Sequence, residues 1–190
     1  MAVPRALQGI LGILSVAAPL LLGGCYSAPV ATEPETPPGP TTLGPGDRVR
    51  VIVFGQQQLS GDFVIGDDGS LSLPLVGRMP VAGLTAGQAE KAMRDRLGHG
   101  IIVNPEVSID VLQYRPVYVV GEVVRPGGYE LVGKGRVINA VALAGGFTYR
   151  ARTDRIMVMR DGDPERKLVY VTERTPVGPG DTVIVPERWF

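Results

Sequence analysis

Residues 104–132 read NPEVSIDVLQYRPVYVVGEVVRPGGYELV, and the fold turns on how this stretch is parsed. Pro105 leads into a segment where Val107, Ile109 and Val111 alternate with Glu106, Ser108 and Asp110. A period of two with one apolar side describes a strand that has one buried and one wet face. Arg115-Pro116 interrupts the pattern. Beyond it, VYVVGEV and YELV flank Pro126-Gly127-Gly128, which reads as a hairpin-like unit. The folded body therefore divides near Arg115-Pro116.

Upstream of that division, Gly44-Pro45-Gly46-Asp47 is turn chemistry. Proline presets φ at the second turn position, and glycine accepts the positive φ that a type II turn requires at the third. The following RVRVIVF predicts a strand with Val49, Val51 and Val53 on one face, and Ile52 and Phe54 suggest partial cover on the other. Asp68-Gly69 lies between short apolar runs and predicts a hairpin. Asp67 beside it could belong to a metal or acid–base site, but no third ligand lies nearby in sequence, so the turn is the better reading. TAGQAEKAMRDRL predicts a helix over 85–97. Thr85 and Gln88 form a capping box, Ala89, Ala92, Met93 and Leu97 share one face, and Gly98 is the stop.

Downstream, VINAVALA predicts a short helix over 137–144, ended by Gly145-Gly146, with Phe147 as an apolar plug. DRIMVMR and KLVYV flank a turn at Asp161-Gly162, and a second Gly-Pro-Gly-Asp, 178–181, launches TVIVP. The residues around the two copies of this phrase do not match, so it is a repeated local device and not a duplicated domain. The fold class is α+β: two small mixed domains, over 43–115 and 116–190, without the regular βαβ alternation of a parallel sheet.

The first 24 residues are a separate object. Arg5 precedes an apolar run from Ile10 to Leu22, followed by small residues, which is the pattern of a secretory signal. The run is too short and too interrupted for a membrane span, which needs roughly 20 apolar residues. Residues 25–42 contain YSAPVATEPETPPGPTT and have almost nothing to bury. They read as an extended tether that could reach about 50 Å at ~3.1 Å per residue.

Lys and Arg number 19 and Asp and Glu 19, with no basic block, so the footprint of a nucleic-acid binder is missing. A single cysteine, Cys25, excludes an internal disulfide and a cysteine-held zinc. His99, the one histidine, sits between two glycines near no nucleophile in sequence. There is no G-x-S-x-G, P-loop or G-x-G-x-x-G, and the acids fall mostly in turns (Asp47, Asp68, Asp181) or on alternating wet faces (Glu106, Asp110). We expect no catalytic residue, no cofactor and no metal.

Two resemblances follow from these residues. Leu22-Gly23-Gly24-Cys25 resembles the lipobox of bacterial lipoproteins, which implies cleavage before Cys25 and acylation of it. Tyr26, where Asp would retain such a protein in the inner membrane, implies release to the outer membrane. The ordered run from Gly44 through GDDGSLSLPLVGRMPVAGLTAGQAEKAMRDRL, the stretch quoted at the outset and INAVALAGGFTYRA resembles the periplasmic polysaccharide export family. Residues 43–112 resemble its export domain, and 116 to about 186 its soluble-ligand-binding β-grasp domain, SLBB. The family-motif positions are Gly44, Pro45, Gly46, Asp47, Asp68, Gly69, Pro105, Gly121, Pro126, Gly127, Gly145, Gly146, Gly180 and Asp181.

The resemblance implies no bond chemistry. It implies a homo-oligomeric ring, anchored by lipid to the periplasmic face of the outer membrane of a Gram-negative bacterium. The ring would enclose a wet, weakly binding passage for polysaccharide pushed by an inner-membrane copolymerase, often with an associated tyrosine kinase. The best-known branch continues into an amphipathic membrane helix. This sequence stops at Phe190, so the expectation is a short branch that docks on a separate outer-membrane β-barrel. Trp189 and Phe190 read as a docking tail, unless they pack onto the protein's own core. The competing functions are a glycan-binding envelope lipoprotein and a purely structural one.

Overall fold

In β1 (Arg48–Val53), exposed and buried residues alternate strictly, with Val49, Val51 and Val53 turned inward. The computed structural model describes residues 39–131 and 135–189. The signal, Cys25, most of the tether and Phe190 lie outside the described residues.

A short 3₁₀ turn, Gln57–Leu59, buries Leu59 and returns the chain to β2 (Gly61–Val64), which pairs antiparallel with β1. Ser60 closes this corner, its Oγ accepting from the Val53 amide at 3.0 Å. The turn at Asp67-Asp68-Gly69 forms: Gly66 N–H reaches the Ser70 carbonyl at 2.9 Å, and Gly69 N–H the Gly66 carbonyl at 2.8 Å. The expected hairpin does not. The strand that follows, β3 (Ser70–Leu73), leaves β2 and pairs with β4 (Gly77–Pro80) in a sheet of its own. β3 buries Ser70, Leu71 and Leu73, and that apolar side is served by the core under β4 rather than by extending β2.

α1 spans Ala86–Gly98. Thr85 Oγ1 accepts from Gln88 N–H at 3.3 Å and Gln88 Oε1 accepts from Thr85 N–H at 2.9 Å, so the capping box is complete. Ala89, Met93 and Leu97 face the core, while Ala92 lies at its margin. The helix runs one residue past the expected end, with Gly98 inside it and His99 as its cap. Glu90 reaches from the helix to accept the Ile109 amide at 2.9 Å in β5 (Val107–Gln113). β5 completes a three-stranded sheet in the order β2-β1-β5. Ile52 and Phe54 are not covered by the described residues: they are 45% and 82% exposed.

The second half opens with the antiparallel pair β6 (Val117–Gly121) and β7 (Gly127–Tyr129). After β8 (Gly135–Arg136) comes α2 (Val137–Leu143), which buries Val137, Ala140 and Val141. Gly146 N–H reaches back to the Val141 carbonyl at 2.9 Å and stops the helix. β9 (Ile156–Met159) and β10 (Leu168–Val171) form a second hairpin. β11 (Pro176–Val177) pairs with β8, and β12 (Thr182–Val185) inserts between β9 and β6, parallel to β6. The sheet order β10-β9-β12-β6-β7, with a helix between the hairpins and the last strand parallel to the first at the centre, is a β-grasp. The whole is α+β, as expected.

The buried apolar residues fall into two clusters. One takes residues from Leu43 to Ile109, the other from Val117 to Val185. No helix or strand of one half packs broadly on an element of the other.

Candidate functional site

The two Gly-Pro-Gly-Asp phrases fold alike. Asp47 N–H donates to the Gly44 carbonyl at 3.1 Å, and Asp181 N–H to the Gly178 carbonyl at 3.2 Å. The third residue of each, Gly46 and Gly180, sits at φ +88° and +86°, where a side chain is strained. In each copy the carboxylate folds back on the first glycine: Asp47 Oδ2 accepts Gly44 N–H at 2.8 Å, and Asp181 Oδ2 accepts Gly178 N–H at 2.9 Å. Both aspartates are buried. A buried carboxylate needs hydrogen bonds and a counter-charge, and each finds an arginine.

The arginines bring the two turns together. Arg115, on the break between the halves, donates its amide to Asp47 Oδ1 at 2.8 Å and its Nη1 to Asp47 Oδ2 at 3.0 Å. The other side of its guanidinium holds Asp161, with Nε and Nη2 at 3.0 and 2.8 Å from Oδ2. Asp161 N–H donates to Asp181 Oδ1 at 2.9 Å, and Arg160 Nη1 reaches Asp181 Oδ2 at 2.8 Å. One polar chain thus runs Asp47, Arg115, Asp161, Asp181, Arg160 across the junction. Pro116 joins it through its carbonyl, which accepts Gly180 N–H at 3.0 Å. Space is tight: a Cβ on Gly44 would lie 2.5 Å from Arg115 Nη1, and one on Gly180 2.5 Å from Asp161 Cγ. Tyr114 lies beside this cluster, and its phenol is pushed above the usual range by burial and then by the charge of Asp47.

Arg115 and Asp161 are the residues that sequence reading missed as site residues. It read the first as a break and the second as half of an Asp-Gly turn. The available signal was the repeated aspartate, since a turn that buries its carboxylate twice requires two cations.

The remaining motif positions are dispersed. Asp68 Oδ1 accepts both the amide and the hydroxyl of Ser70, at 3.0 and 2.7 Å, which holds its carboxyl below the ordinary range. Gly121 ends β6 at φ +92°, where a Cβ would lie 2.1 Å from the Val185 carbonyl oxygen. Pro105 precedes β5, Pro126 and Gly127 lie in the β6–β7 turn and at the start of β7, and Gly145 and Gly146 follow α2. Among the described residues no group of His, Cys, Asp or Glu could hold a metal, and no helix is long and apolar enough to cross a membrane. Trp189 is exposed and does not pack on the core.

The outer face of the β-grasp sheet is unusually apolar. Tyr170, Met157, Ile184 and Val120 stand side by side across β10, β9, β12 and β6, and Leu168, Met159, Thr182 and Tyr118 form the next row. An ordinary one-sided sheet carries charge on its wet face.

Residues 35–112 match the family described as polysaccharide biosynthesis/export protein, and residues 116–171 match the SLBB domain. The chain belongs to the polysaccharide export family. The exopolysaccharide production protein ExoF of Rhizobium meliloti (strain 1021) is 32% identical, over 77% of this chain and 40% of that protein. The polysialic acid transport protein KpsD of Escherichia coli is 28% identical, over 77% of this chain and 28% of its own length. This export-family chain therefore spans less than half the length of these curated relatives. Proteins of the family are transport components rather than enzymes.

Proposed function

We propose that this protein is a lipid-anchored periplasmic component of a capsular or exopolysaccharide export channel. It assembles as a homo-oligomeric ring through which polysaccharide moves toward or across the outer membrane. The observation that carries the reading is the tandem of both family matches, 35–112 and 116–171, with relatives named for exopolysaccharide production and polysialic acid transport. In this reading residues 43–115 are the export domain and 116–190 the β-grasp domain, with the Arg115 cluster fixing one against the other. Cys25 carries the acyl chains, and several chains together give the stable anchoring that one does not. An inner-membrane copolymerase drives the polymer, and an outer-membrane β-barrel receives it.

The protein works here by shape. A long polymer held tightly at many points would stall, so the passage must bind weakly. The apolar rows on the β-grasp sheet suit contact between protein subunits better than contact with a hydrated polymer. Deleting the gene tests the reading. Export predicts that surface polysaccharide disappears while its synthesis continues inside the cell. Unchanged surface polymer would overturn it in favour of a glycan-binding or structural lipoprotein.

A further inference from the structure

Two features at opposite ends of the described chain have no partner within it. The first is a knob. The segment Pro186–Arg188 is tied antiparallel to residues 150–152: Arg152 N–H donates to the Pro186 carbonyl at 2.9 Å and Arg188 N–H to the Arg150 carbonyl at 2.8 Å. Ala151 pairs with Glu187, and Arg150 forms an ion pair with Glu187. The same pairing carried outward puts Tyr149 and Trp189 at one end of this ribbon, and each is 86% exposed. Trp189 is therefore presented by an anchored ribbon, with the exposed Arg188 next to it.

The second feature is a groove of about 440 Å³ lined by Ile52, Phe54, Glu106, Val107 and Ser108. It lies where β1 meets β5, with Ile52 opposite Ser108 and the Phe54 amide bonded to the Glu106 carbonyl at 3.0 Å. Its walls are apolar, and its one charge, the exposed Glu106 carboxylate, has no hydrogen-bond or ion-pair partner among the described residues.

We infer that Trp189 of one copy seats in the Ile52–Phe54 groove of the next, with Arg188 pairing to Glu106 across the contact. The occupant follows from complementarity on both counts. Tryptophan and arginine are both among the side chains enriched at binding hot spots. The groove offers an apolar slot with a single opposite charge at its edge. Knob and groove lie on different halves of the chain, so each copy can offer them to two different neighbours, a head-to-tail contact of the type that closes into rings or runs on into filaments. The inference names the subunit contact of the ring proposed above, and rests on that reading only for closure.

The test uses the full-length protein in its native membranes. Ser108→Cys and Tyr149→Cys, which flank the contact and leave Phe54 and Trp189 in place, combined in one chain give a ladder of disulfide-linked oligomers on oxidation, and neither alone does. Glu106→Arg and Arg188→Glu, both surface changes, each reduce the oligomeric fraction in mild detergent by about tenfold, and the two together restore it. Circular dichroism confirms that each variant folds. Absence of the ladder, or failure of the paired reversal to restore association, overturns the contact. Rings that persist unchanged through both single reversals overturn it while leaving the ring reading intact. A wild-type protein that is monomeric in the membrane defeats both. In purified protein returned to vesicles, quenching of the single tryptophan, Trp189, by lipid-borne quenchers without cross-linking overturns the contact in favour of a membrane-facing knob.

Discussion

Arg115 does the work of two residues. It neutralises Asp47, which is fully buried, and it reaches across to Asp161 while remaining 18% exposed itself. Truncating it leaves the Asp47 carboxylate with the amides of Gly44 and residue 115 but no cation. Arg115→Ala should therefore cost about 3 kcal/mol, at the lower end for breaking a buried pair, as measured by urea denaturation. Arg115→Lys keeps the charge but not the planar fork that serves both carboxylates, and should fall between wild type and alanine. Tyr114 supplies a pH signature of the same cluster. Its folded pKa is raised, by burial first and Asp47 second, so the folded state keeps its proton longer than the unfolded state does. The stabilising effect is present below the unfolded tyrosine value, about 10, and is lost as pH rises through the folded value. An ultraviolet titration should show a tyrosine step later than that of the free side chain, and Tyr114→Phe should remove it. A late step that survives the substitution would place the cause elsewhere.

At the scale of elements, the clearest test is α1. Its start is set by a reciprocal pair of local bonds and its inner face by Ala89, Met93 and Leu97. Thr85→Ala should cost about 1 kcal/mol and Thr85→Ser far less, whereas Met93→Ala opens a cavity and should cost about 2–5 kcal/mol. Thermal denaturation of the three variants would give this order, and a Thr85→Ala loss larger than that of Met93→Ala would mean that the cap holds more than the helix. α1 was legible in the sequence because Thr85 and Gln88 are three residues apart and the apolar spacing is local. β1 and the hairpin β9–β10 were legible for the same reason; β6–β7 was legible as a pair, but its second strand forms on Gly127–Tyr129, mostly within the stretch read as the turn. The Asp68-Gly69 turn shows where local reading ends. Its turn chemistry was correct, yet β2 pairs with β1 and β3 with β4, because pairing is decided by which side chains share a core. The junction lay further out of reach: Asp47 and Arg115 are 68 positions apart, and Arg115 and Asp161 are 46. Each residue alone looked like punctuation.

For the whole molecule, the central fact is that two apolar cores meet through little more than this polar chain. Domains joined by a small interface move relative to each other by default, so the orientation here depends on a few bonds. Arg115 to Asp161 is the principal one, assisted by a hydrogen bond from Gln113 to Glu130. Asp161 is 42% exposed in its side chain, so the pair contributes only about 0–1 kcal/mol to stability. Its effect on geometry should be larger. In Asp161→Ala, Asp47 keeps Arg115 and Asp181 keeps Arg160, so both cores stay folded while the tie between them is cut. Spin labels at Ser72 and Thr153, one in each half and both exposed, should report a narrow distance distribution in the wild type and a broad one in the variant, with the thermal midpoint nearly unchanged. An equally narrow distribution would show that the linker alone fixes the halves. In the ring proposed above, an angular error in each subunit would accumulate from copy to copy. The same substitution should therefore yield open or heterogeneous oligomers from a chain whose domains are individually intact.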